Sequence, residues 1–138
     1  MNVLDAASRA ALGWVFVHSG SDVVRNPEKQ ALKAKPVLSV IRSSAPVDLP
    51  DDVTLVRINA AAQVAAGAAL TVGLAPRVAA AVLIGSLVPT TAAGHRFWEF
   101  DDATQRAGQR THFNKNLALL GGLLHVLITP RRRMKGQS

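Results

Sequence analysis

The chain is 138 residues long, room for one domain, and sets 16 lysines and arginines against 9 acids, a formal charge of +7. It has no cysteine, which excludes a structural disulfide, a thiol redox pair and a thiolate metal site within it. Hydrophobic residues make up 49%, yet the mean hydropathy is only +0.19 because alanine supplies much of that share.

The first element in chain order is a candidate membrane span over Val3–Val23, with the apolar run Ala10–Val17 and the i,i+4 pair Asp5 and Arg9. Asp5 and Arg9 interrupt what would otherwise resemble a cleavable signal, so this helix is expected to be kept as a span. A polar stretch from Arg25 to Asp52 follows, broken by Pro27, Pro36, Pro46 and Pro50. Within it, Pro36–Ile41 is apolar but too short to cross a bilayer, and is expected to be an interfacial or re-entrant piece packed on the bundle.

The next two elements carry the strongest signal. Ile58–Pro76 and Val78–Gly94, nineteen and seventeen residues, contain no charge and are separated only by Arg77. A helix needs about 17–25 residues to cross a hydrocarbon core, and soluble domains seldom place two such runs back to back. Span two is expected over Val53–Val72, opened by Asp51 and Asp52, and span three over Ala75–Ala93, with Pro76 in its first turn. Pro89 is expected to kink or thin the end of span three. After the polar segment Gly94–Gln109, span four is expected over Thr111–Ile128, closed by Pro130 and Arg131-Arg132-Arg133.

The expected fold is all-α, an integral membrane four-helix transmembrane bundle forming one domain over residues 1–138. A soluble helical protein with an alanine-rich core is the plain alternative. Nucleic-acid binding is not expected, because the basic residues sit in loops and at the C-terminus, where membrane proteins carry them. Four spans put both termini on one face. Lys135 and the arginine cluster favour cytoplasmic termini, against the opposing pull of Arg25, Lys29, Lys33, Lys35 and Arg42 in the first loop.

Polar residues gather toward the face that carries the two long loops: His18, Arg57, Asn59, Gln63, His95, His112, Lys115 and Asn116. Asn59, Gln63 and Gly67 recur every four residues and share one face of span two, as His112 and Asn116 do on span four. Arg57, Asn59, Gln63, His95 and Asn116 are therefore the candidate binding residues of an inward-facing polar pocket. One reading has them bridging helices, and the other has them holding a quinone-type or small-molecule headgroup. His18, His95 and His112, with Glu99, Asp101 and Asp102, lack ligand spacing, so no metal site is expected. His125 is expected in the core, Trp14 in the bundle, and Phe97 and Trp98 in an interfacial aromatic belt. The acidic loop Glu99–Asp102 is expected to cap the bundle or meet a partner. No nucleotide-binding or nucleophile motif occurs, and no acid lies deep in a span, so neither catalysis nor a proton relay is expected.

Taken together, these residues resemble the DoxX family of small bacterial four-helix membrane proteins. The resemblance runs through Arg9-Ala-Ala-Leu-Gly-Trp-Val-Phe, Arg25-Asn-Pro, Leu55-Val-Arg57-Ile-Asn59-Ala and Gln63-Val-Ala-Ala-Gly67. It continues in Val72-Gly73-Leu-Ala-Pro-Arg77, Gly85-Ser-Leu-Val-Pro-Thr-Thr-Ala-Ala-Gly94-His95-x-Phe97-Trp98, His112-Phe-x-Lys115-Asn116-Leu and Gly121-Gly122. Many such sequences have a glutamate where this chain has Gln63, so any ion chemistry of that carboxylate is not expected here. The resemblance implies a multi-pass protein of the bacterial plasma membrane, associated with redox-linked complexes. The expected function is a non-catalytic structural or accessory subunit, with membrane lipids and other membrane subunits as partners and no evident cofactor. The alternative is a membrane oxidoreductase component that binds a quinone or another small molecule.

Overall fold

The computed structural model describes residues 3–129, and these form five α-helices and one short 3-10 turn. The helices are α1 (Val3–Arg25), α2 (Glu28–Ser44), α3 (Asp52–Thr71), α4 (Pro76–Gly94) and α5 (Ala103–Ile128), with the 3-10 turn at Phe97–Glu99. Pro130, the Arg131–Arg133 cluster and Lys135, on which the expected orientation rests, lie outside the described residues.

Helix ends follow local chemistry. Asp51 caps α3 by accepting from Thr54 N at 3.0 Å and Thr54 Oγ1 at 2.7 Å. The Thr54 hydroxyl, then its backbone N–H, hold the Asp51 carboxyl below the usual aspartate range. Asp102 caps α5 in the same way, accepting from Gln105 N at 2.7 Å. At the far end of α3, Leu74 N donates to Ala69 O at 2.8 Å and Gly73 N to Leu70 O at 3.2 Å. That pair of bonds is a Schellman closure, and it places Gly73 at φ +74°. Pro76 then opens α4, where its missing N–H costs no helical bond.

Three antiparallel contacts connect four of the helices. Gly13 of α1 lies on Gly67 and Thr71 of α3, and Gly20 lies on Ala60 and Gln63. A Cβ added at Gly67 would stand 2.7 Å from Gly13 O, so the two backbones touch directly. From α3 the chain turns back into α4, and from α4 into α5, while α1 meets α5 around Leu12 and Gly122. The interior is Phe16, Leu70, Leu83, Leu87 and Leu123, filled in with Ala66, Ala79 and Ala80. Many large apolar side chains point outward instead, among them Ile58, Val78, Val88, Leu117 and Leu124. Small residues let helices approach closely and leave the bulky ones for the surroundings, an arrangement suited to lipid.

The architecture is all-helical as expected, with two corrections. The stretch Arg25–Asp52 is not a loop holding a short apolar piece: it contains α2, which runs through Pro36 and packs against α3 and α4. Pro36 has no N–H and so removes the one helical bond to the Leu32 carbonyl, and α2 continues through it to Ser44. The bundle therefore has five α-helices rather than four. Second, α5 begins at Ala103, well before the expected Thr111. Of the four expected spans, α3 and α4 are both long and apolar enough to cross a membrane. By the same measure α1 and α5 are long but not apolar enough: Asp5, Arg9, Asp22 and Arg25 weigh on α1, and Arg106, Arg110 and Lys115 on α5. Pro89 lies inside α4, which stays helical to Gly94.

Candidate functional site

The α3–α4 contact carries a chain of hydrogen bonds. Gln63 Nε2 donates to Ser86 Oγ at 2.7 Å, and Ser86 Oγ donates to Asn59 Oδ1 at 2.8 Å. Asn59 Nδ2 reaches Thr90 Oγ1 at 3.4 Å, and Thr90 Oγ1 donates to Ser86 O at 2.7 Å. Gln63 and Ser86 are buried, at 8% and 6% exposure. Asn59 and Gln63 share one face of α3, and Ser86 and Thr90, also four apart, share the facing side of α4. Two i,i+4 pairs from antiparallel helices thus meet in register.

A second polar contact joins α4 to α5. Asn116 Nδ2 donates to Thr91 Oγ1 at 3.0 Å, and Thr91 Oγ1 donates to Leu87 O at 2.8 Å. Farther toward the loop face, His95 Nδ1 lies 2.9 Å from Gln109 Oε1. The His95 and His112 rings stack at 5.1 Å with an interplanar angle of 17°. Beside them Phe97, Trp98 and Phe113 form edge-to-face contacts at 5.1 to 6.3 Å.

The five candidate residues therefore do not line one pocket. Asn59 and Gln63 belong to the α3–α4 seam, Asn116 to the α4–α5 seam, and His95 to the outer end of that seam. Arg57 stands apart: it is exposed, and it sits two residues from Asn59, about 200° around the helix. Two surface clefts lie elsewhere, along α2 and the loop after it, one of them lined by Lys35, Ser39, Arg42, Ser43 and Asp52. Ser86, Thr90, Thr91 and Gln109 complete the seams and were not singled out from the sequence. Matching the Ser86–Thr90 spacing to that of Asn59–Gln63 would have found the first two.

Two further expectations need correction. Trp14 is 64% exposed and stacks on His18 at 6.2 Å rather than packing inside the bundle. His125 is exposed rather than in the core, because it lies on the outward side of α5. In the acidic loop, Glu99 pairs with Arg96 at 3.0 Å, and Asp102 caps α5. Among the described residues, no three His, Asp or Glu side chains are grouped so as to hold a metal ion.

The DoxX family model matches residues 4–96, about two thirds of the chain. That segment covers α1 to α4 with Asn59, Gln63, Ser86 and His95, and stops before α5. No curated protein and no solved structure matches the chain.

Proposed function

The chain belongs to the DoxX family, and from that premise we propose that this membrane protein is a non-catalytic accessory subunit of a larger, redox-linked membrane complex. One observation carries the reading: Asn59, Gln63 and Asn116 spend hydrogen bonds on Ser86, Thr90 and Thr91 of the neighbouring helix. Amides used in this way bridge helices, each contact contributing about 0.6 kcal/mol in a membrane. A headgroup site would instead present such groups to a cavity. The outward faces of the helices keep their apolar side chains for lipid or for other subunits. In this reading the protein lies in a bacterial plasma membrane and carries no chemistry of its own.

The test is affinity purification from native membranes in a mild detergent, with mass spectrometry of what accompanies the protein. A stoichiometric membrane partner supports the subunit reading. A homogeneous monomer without a partner overturns it, as would a tightly bound quinone lost on Gln63→Leu substitution.

A further inference from the structure

Both ends of α2 are held at one face of the bundle. Gly13 of α1 lies on Gly67 of α3 and Gly20 on Ala60, so the end of α1 and the start of α3 stand together. Only Asn26 and Pro27 separate α2 from the end of α1. In its last turn Arg42 donates to Leu49 O at 2.7 Å, Pro50 O at 2.8 Å and Asp52 Oδ1 at 2.9 Å, which ties α2 to the start of α3. A helix of 17 residues is about 25 Å long. With both ends at one face it does not cross the bilayer that α3 and α4 are long enough to span, and lies along the surface instead.

Its two sides are unlike. Ala31 is buried, and Ala34, Val37 and Leu38 are half-buried, on the side that packs against α3 and α4. At about 100° per residue, Leu32, Pro36 and Val40 fall in one row on the opposite side. All three are exposed, Leu32 at 75% and Val40 at 64%. Exposed lysines border the row: Lys29 at its start, Lys33 along one edge and Lys35 along the other. Among the described residues none of these lysines is ion-paired, and Glu28 is the one acid of the helix. An apolar row edged by lysines suits the boundary between water and hydrocarbon. There the row enters the acyl layer while the lysine stems carry their charges out to the headgroups. Unpaired positive charges at that depth are complementary to anionic lipids.

We propose that the outward face of α2, with Leu32, Pro36 and Val40 bordered by Lys29, Lys33 and Lys35, lies in the headgroup layer and selects anionic phospholipids there. This rests on the membrane location in the function proposed above, and not on the subunit role.

Because the chain has no cysteine, a single Val40→Cys substitution carries one fluorophore on this face of the full chain. The labelled protein is placed in phosphatidylcholine nanodiscs with a trace of either phosphatidylglycerol or phosphatidylcholine that bears a quenching nitroxide near the headgroup end of an acyl chain. Both lipids quench the probe, and the phosphatidylglycerol does so about fivefold more strongly, the effect of one lysine at an anionic surface. The K29Q/K33Q/K35Q variant keeps the phosphatidylcholine quenching and loses the preference. A probe at Leu124→Cys, exposed on α5, shows no preference in either background. The proposal is overturned if neither lipid quenches the Val40 probe, which would mean that water or a second copy of the chain meets the face. It is overturned equally if the two lipids quench alike, if the lysine substitutions leave the preference unchanged, or if the Leu124 probe shows the same preference, since that would be attraction to net charge alone. None of these results bears on whether a partner co-purifies, so this inference and the subunit reading fail separately.

Discussion

Gln63 of α3 donates to Ser86 of α4 at 2.7 Å, and the same Ser86 hydroxyl donates onward to Asn59. One serine thus stands between two amides and ties two turns of α3 to one turn of α4. Its loss should be felt at both.

The first expected outcome concerns that serine. Ser86→Ala and Gln63→Leu should each destabilise the folded protein by about 1 kcal/mol, and the double variant by less than their sum. Thermal or denaturant unfolding in detergent, arranged as a double-mutant cycle, measures the coupling, expected near 0.6 kcal/mol. Purely additive values would show that the bond contributes nothing.

Glycines should divide sharply by position. Gly67→Ala places a methyl group 2.7 Å from Gly13 O and 3.1 Å from Phe16 Cβ, against backbone that has no room to move. The cost should be about 1–3 kcal/mol, the range for overpacking. Gly85→Ala and Gly121→Ala meet nothing within 4 Å, and should be neutral or stabilising by up to about 1 kcal/mol through helix propensity. Melting temperatures of the three variants decide the matter.

At the α3–α4 turn, Gly73 has φ +74°. Gly73→Ala should cost about 1–2 kcal/mol from left-handed strain, since the nearest group to an added Cβ, Arg9 Nη2 at 3.7 Å, is at ordinary contact distance. A melting temperature equal to the unmodified protein's would refute this.

The cap at Asp51 predicts a pH dependence. Its folded-state carboxyl ionises below the usual aspartate value, because of Thr54. The stabilising charge is therefore present above the unfolded value of about 3.9 and is lost as pH falls through the lower folded value. Asp51→Asn keeps an acceptor for Thr54 N but removes the titration. Its acid melting profile should be flatter than that of the unmodified protein in this window, and identical profiles would count against the argument.

How much of this was legible from the chain depended on where information was local. The ends of α3 and α4 were readable within a residue or two, because Asp51, Gly73 and Pro76 punctuate charge-free runs. Helix α2 is hidden in the sequence, because Pro27, Pro36, Pro46 and Pro50 read as breaks in a polar stretch, whereas burial of Ala31 and packing against α3 and α4 sustain it. The Asp102–Gln105 capping spacing is present in the sequence, but the polar turns after it carry no apolar periodicity, so the start of α5 at Ala103 is masked. Gln109, which pairs with His95, lies within those masked turns. Arg57 shares only its height with Asn59 and Gln63, not the four-residue spacing that puts those two on one face, and height does not distinguish Arg57 from Asn59. Only their angle around α3 does.

The backbone contact between Gly13 and Gly67 inverts the usual tolerance of a protein interior. In a leucine-filled core, damage comes from trimming side chains, and evolution there is constrained by what must be kept. Where α1 crosses α3 there is almost nothing to trim, and the constraint falls on what must never be added. A library of random substitutions should therefore show intolerance to every larger residue at these two positions, with hydrophobicity giving no rescue.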